Sequence, residues 1–188
     1  MEFTDQKAIN RTKRWLAEFV IGLHLCPFAA RPFREDKIAY RSLTGRSPAV
    51  VADEVVVECR RLLAAGESGF PETTLLILPD LWQDFADYLD LVDVLNDLLD
   101  RSGWRGRIQL ATFHPDYVFG DAPADDPGNY TNRSPYPMLH LIREDLLAKA
   151  LQHYPHPERI PERNVALLRE KNNAYWQSLL NHLQQHDQ

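Results

Sequence analysis

The chain is predicted to be an α/β domain: a small, mostly parallel sheet with a βαβαβ core, flanked by an N-terminal helix and two C-terminal helices. Three observations predict it. Residues 73–78 form a continuous apolar run bounded by Pro71 and Pro79, as expected of a strand covered on both faces. Two further β-prone stretches, 38–43 and 108–113, lie before and after it. The intervening segments carry apolar residues at three- and four-residue intervals, the spacing of a helix with one buried face. Strand, helix, strand, helix, strand in that order is the pattern of parallel crossovers.

The N-terminal helix places Ile9, Thr12, Trp15, Leu16, Phe19, Val20 and Leu23 on one stripe. Thr4 serves as its N-cap. Pro27 ends it, because a proline pushes the preceding residue out of the α region, so Cys26 is expected at a helix C-terminus and 28–33 in a loop. Ser47-Pro48 is an N-cap followed by proline at the first helical position, opening a helix that runs to about Ala65 with Ala52, Val55, Val56, Cys59, Leu62 and Leu63 inward. The next helix, 81–101, turns Phe85, Tyr88, Val92, Leu95 and Leu99 to the core before Gly103 and Gly106. Its acidic run (Asp84, Asp87, Asp90, Asp93, Asp97 and Asp100) reads as a solvated face. Ser134-Pro135 is expected to start a helix reaching Gln152, and a last helix begins near Pro161 with Val165, Leu168, Tyr175, Leu179 and Leu183 inward.

With 188 residues the chain suits a single domain spanning 1–188. Its hydrophobic share of 44% and charged share of 26% are those of a globular protein, which argues against global disorder. A net charge of −6 argues against nucleic-acid binding, which needs concentrated Lys and Arg. Two cysteines, Cys26 and Cys59, without metal-ligand spacing, fit a reducing cytoplasm, and Cys59 falls on a core stripe. No apolar run approaches the roughly 20 residues that span a bilayer, so no membrane partner is expected. Neither cofactor nor oligomeric state can be read from these features.

After Phe113 the composition changes to Pro, Gly, Asp and Asn, which marks 114–134 as a long loop leaving the C-terminal end of a core strand. Loops of that length are usually functional, and open α/β sheets bind ligands at that end. Its motifs are Phe113-His114-Pro115-Asp116-Tyr117 and Asn129-Tyr130-Thr131-Asn132-Arg133-Ser134-Pro135-Tyr136-Pro137. Together with Gly22-Leu23-His24-Leu25-Cys26-Pro27-Phe28-Ala29, Leu139-His140-Leu141-Ile142-Arg143-Glu144 and Pro161-Glu162-Arg163-Asn164, they resemble the DUF1415 family, a family of unknown function, across nearly the whole chain. The resemblance carries over no catalytic residue. His24 stands where that family usually has Asn, and Ala30 where it usually has Lys, which makes His24 a poor catalytic candidate.

Four readings of the site follow from the residues. In the first, an enzyme holds a small anionic molecule, phosphate- or carboxylate-bearing, at Asn132, Arg133 and the N-terminus of the helix opened by Ser134. Arg143, Asn129, Tyr136 and Asp126 assist, while His114 and His140 exchange protons beside Asp116. In the second, His114, Asp116, His140 and Glu144 bind a metal, with His140 and Glu144 four apart on one helix face. In the third, Cys26 is a nucleophile with His114 or His140 as base. The last is a non-catalytic module that binds a metabolite or a protein. Trp82, Trp104 and Trp176 read as packing or loop-anchoring aromatics.

Overall fold

The computed structural model describes residues 3–66 and 69–185. In chain order the elements are α1 (Phe3–Arg14), a π-helical continuation (Trp15–Ile21), α2 (Ala30–Arg34), β1 (Ile38–Ser42), α3 (Pro48–Ala64), β2 (Thr73–Ile77), α4 (Phe85–Arg101) and β3 (Ile108–Phe113). There follow a 3-10 turn (Pro127–Thr131), β4 (Met138–Arg143), α5 (Glu144–Gln152), a second 3-10 turn (Pro157–Arg159), α6 (Ile160–Arg169) and α7 (Asn173–Gln185). The α/β class holds. Ser47 caps α3 by accepting from Val50 N, and Asp84 caps α4 through Ala86 N and Asp87 N. Thr4 lies within α1, which starts at Phe3.

The sheet departs from a mostly parallel βαβαβ arrangement. Its order is β1-β2-β4-β3, with β1 and β2 parallel and β4 antiparallel to both of its neighbours. The helix expected from Ser134 to Gln152 is therefore a strand, 138–143, and only then a helix. The physical reason lies in the residues. Leu139 and Leu141 enter the cluster under α3 and α4, while Met138 joins the opposite cluster, so the segment alternates between two covered faces. Pro137, which begins the pairing, accepts Leu78 N at 3.0 Å. The expected single C-terminal helix is likewise two, α6 and α7, broken at Glu170–Asn172 where Asn172 Oδ1 accepts Tyr175 N.

Helices cover both sides of the sheet. On one side α3 and α4 bring Val55, Cys59, Leu62, Tyr88 and Leu95 onto Leu76, Leu139 and Leu141. On the other, α1, its π-helical continuation, α6 and α7 bring Trp15, Phe19, Leu168, Trp176 and Leu180 onto Leu75, Ile77 and Met138. Cys59 is fully buried, as its stripe predicts, and the six aspartates of α4 and its cap are exposed. Trp176 packs on Phe19 and donates from Nε1 to Leu168 O at 2.7 Å, the anchoring role expected of it. No helix among the described residues is long and apolar enough to cross a membrane.

One buried carboxylate ties α3 to the sheet. Glu58, 1% exposed, accepts Arg41 Nε of β1 at 2.8 Å and Thr74 Oγ1 of β2 at 2.9 Å. Glu58→Ala leaves Thr74 Oγ1 without this acceptor and Arg41 with only Glu54, at 3.9 Å, as a carboxylate partner, and hydrogen bonds to charged groups contribute roughly 1.5–3 kcal/mol each. Urea denaturation should show a lower midpoint with unchanged slope and a loss of about 2–3 kcal/mol, allowing for the partial exposure of Arg41. An unchanged midpoint contradicts this role.

Candidate active site

The 114–134 loop is built largely from its own polar groups. His114 is fully buried: Nε2 bonds Trp82 O at 3.0 Å, and Nδ1 accepts the Asp116 backbone N–H at 3.0 Å. That fixes the neutral Nε2–H tautomer. Its ring packs on Phe85 and Tyr88 of α4, and burial pushes its pKa down. Asp116 is exposed and serves His114 through its backbone. Asn129, fully buried, accepts Phe119 N at 3.0 Å and donates to Pro123 O at 2.9 Å. Asn132 donates to Thr112 O at 3.1 Å. Arg133 donates to the carbonyls of Tyr117 and Ala124, both at 3.2 Å, and lies 4.6 Å over the Tyr130 ring.

The remaining loop candidates are placed in the same way. Ser134 Oγ donates to Tyr136 O at 2.6 Å, closing a turn rather than capping a helix, and the Tyr136 hydroxyl accepts from Arg11 at 3.2 Å. Asp126 caps the 3-10 turn through Gly128 N at 2.8 Å and pairs with Arg169 of α6. Arg169 lowers the Asp126 pKa to about 2. Arg143 pairs with Asp145 and donates to Gly66 O. A strand, β4, and not a helix follows Ser134, so the anion site loses the helix dipole on which it was based.

The four-residue metal set is not assembled either. His114 faces α4, whereas His140, in β4, lies on the opposite side of the sheet beside Thr73. Glu144 sits on α5, not on one helix with His140, and its N–H donates to Arg107 O at 3.0 Å. Among the described residues no group of three or more His, Cys, Asp or Glu side chains is placed to hold a metal ion.

Cys26 and His140 share one cavity, of about 260 Å³, between the sheet, the π-helical segment, α2 and α5. Thr73, Glu72 and Arg31 share its wall with the apolar side chains of Trp15, Val20, Leu75, Phe113 and Leu146. The Thr73 hydroxyl donates to Leu141 O at 2.7 Å, so at 2.6 Å from His140 Nε2 its oxygen is the acceptor. His140 is therefore the Nε2–H tautomer. Its Nδ1 lone pair has no protein partner among the described residues, and burial pushes its pKa down to about 4. Arg31 grips Glu72 with two hydrogen bonds, of 3.1 and 2.5 Å.

Cys26 is not at a helix C-terminus. The π-helical segment ends at Ile21, and Leu25 N still reaches back five residues to Val20 O at 2.8 Å. A left-handed residue, His24 (φ 55°), then reverses the chain. Burial raises the Cys26 pKa, while the nearby backbone N–H groups of Phe28 and Ala29 act in the opposite sense, and the Ala29 N–H donates to Cys26 O at 3.2 Å. Two residues of α6 pin this turn: Asn164, 3% exposed, donates to Leu25 O at 2.7 Å, and Arg163 donates to His24 O.

Sequence reasoning missed Thr73, Glu72 and Trp15 as parts of the cavity, while Arg31 was expected near Cys26. The only local signal was a pair of threonines opening an otherwise apolar strand. Arg163 and Asn164 were visible in a motif but had no role until α6 was seen against the Cys26 turn. A wider, more open depression of about 460 Å³ beside α6, lined by Tyr154, His156, Arg159 and Glu162, contains neither Cys26 nor His140.

A mixed α/β protein with a cysteine and a neutral histidine in one apolar cavity is the class that fold and site define. The chain belongs to the DUF1415 family, whose model, described as "Protein of unknown function (DUF1415)", matches residues 7–178. Comparison with curated proteins and with solved structures finds no match.

Two measurements check this geometry. The folded protein holds His140 neutral down to about 4, whereas the unfolded chain takes up the proton near the ordinary 6.5. The resulting stability is fully present above 6.5 and is lost as pH falls from 6.5 towards about 4. Between pH 7 and 4.5, wild type should lose on the order of 2 kcal/mol more than His140→Gln in urea titrations; equal losses contradict a buried neutral imidazole. Asn164→Ala should cost about 1–3 kcal/mol by orphaning the Leu25 carbonyl, and should speed alkylation of Cys26 as its turn loosens. An unaltered alkylation rate shows that Asn164 does not hold the turn.

Proposed function

We propose that this chain is an enzyme that attacks an acyl carbonyl with the Cys26 sulfur, using His140 as the base. The observation that carries the reading is the shared cavity, in which Nδ1 of His140 is the nitrogen left unoccupied once Thr73 has taken Nε2. Thr73 orients the imidazole as a third group orients the base in nucleophile–base pairs generally. The Phe28 amide, near the sulfur, supplies a donor for a thiolate or for the oxyanion of a tetrahedral intermediate.

In the first half-reaction the thiol proton passes to His140 Nδ1 and the sulfur bonds to the carbonyl carbon. The bond to the leaving group breaks, and Nδ1 returns the proton to it. Water then attacks the thioester, one of its protons passing through Nδ1 to the departing Cys26 sulfur. No charge is held at rest, since burial disfavours both the thiolate and the imidazolium. A reducing cytoplasm would keep the thiol available. This reading is preferred to an anionic substrate at Asn132 and Arg133 because Asn132 and Arg133 hold loop carbonyls. A second reading, a non-catalytic binder of an apolar molecule, is favoured by the same neutral resting state.

Hydrolysis of simple thioesters should fall by about 10³-fold or more in Cys26→Ala and by roughly 10²–10⁴-fold in His140→Gln. The acid limb of kcat/KM should lie near 4, the pKa that burial gives His140, rather than at the ordinary 6.5. Turnover that survives Cys26→Ala contradicts the proposal, and binding without any turnover favours the second reading.

A further inference from the structure

The cavity is larger than the side chains around it require. Helix α5 turns Leu146, Leu147 and Ala150 towards it, yet none of the residues of α5 is buried. An amphipathic helix normally buries its apolar stripe against the core. Here that stripe covers unfilled space. Trp15, another wall residue, is 1% exposed, and its Nε1–H finds no acceptor among the described residues, an uncommon condition for a buried indole. The polar groups are also connected rather than scattered: Arg31 bonds Glu72, the next residue is Thr73, and Thr73 bonds His140. The space thus offers a mainly apolar compartment with a connected polar strip along Arg31, Glu72, Thr73 and His140, and with Arg143, held by Asp145, at the α5 side.

From this division we infer the substrate class: a thioester or ester whose acyl part is an apolar chain of medium length, with the carbonyl at Cys26 and the chain under α5. The inference rests on the Cys26 reading above. A cavity of about 260 Å³ lies just below the roughly 300–1,000 Å³ of drug-sized pockets, which favours a medium-length chain over a long fatty one. A leaving thiol or alcohol lies outside the compartment, so it does not enter the size limit.

The test is a chain-length series, from acetyl to tetradecanoyl, of thioesters of one small thiol and of matching p-nitrophenyl esters. With the wild-type protein, kcat/KM should rise about fourfold per added CH₂ towards an optimum near eight carbons and then fall. Faster turnover of the thioesters or of the esters identifies the leaving-group chemistry. Ala150→Phe should move the optimum to shorter chains, and Leu147→Ala to longer ones. A flat series, or one that peaks at acetyl, overturns the acyl assignment while leaving a nucleophilic Cys26 intact. Calorimetry of octanamide with Cys26→Ala separates the two claims: binding there without wild-type turnover of any member supports the acyl occupant and removes the nucleophile. Absence of octanamide binding, with wild-type turnover independent of chain length, overturns the acyl assignment.

Discussion

Everything distinctive in this structure depends on the antiparallel insertion of β4 between β2 and β3. Those two strands run the same way but are not neighbours, and each needs a partner for its inner edge. Residues 138–143 satisfy both ladders at once, opposing His140 to Leu75 on one side and to Ala111 on the other. That register decides the chemistry as well as the topology. A shift of one residue would turn His140 towards α3 and α4 and put a leucine beside Thr73.

The second determinant is how the chain reaches Cys26. A widened helix, a left-handed turn at His24 and two hydrogen-bonding residues of α6 deliver the thiol to the His140 side of the sheet. The cavity wall then keeps both groups neutral, because apolar surroundings penalise charge on either. A thiol and an imidazole in this state differ from a preformed ion pair. In the proposed reaction the proton moves only when a carbonyl is present to receive the sulfur, and a neutral thiol at rest is a weaker target for alkylation and oxidation.

The sequence made α3, α4 and the first three strands legible because their periodicities are strong; Ser47-Pro48 marked the start of α3 unaided, whereas the short α2 falls where a loop was expected. It misled at β4, where Ser134-Pro135 mimics a helix start and Met138, Leu139, Leu141 and Ile142 fit a buried helix as well as a two-faced strand. Only the empty edge between β2 and β3 decides, and that is a tertiary fact. The site divided along the same line. The polar loop drew attention through composition, yet Asn129, Asn132 and Arg133 hold its own carbonyls. Cys26 and His140 were individually visible, but their meeting depends on the strand that was read as a helix. Thr73 could not be identified as the group orienting His140 until the register was known.

The most direct test of the central claim is mass measurement of the protein, acid-quenched within milliseconds to seconds of mixing with excess octanoyl thioester. The account predicts a single octanoyl adduct on wild type, mapped by peptide analysis to Cys26 and strongly diminished in His140→Gln. An adduct mapped to another residue, or turnover of the thioester with no covalent species at Cys26 under any quench time, would contradict it.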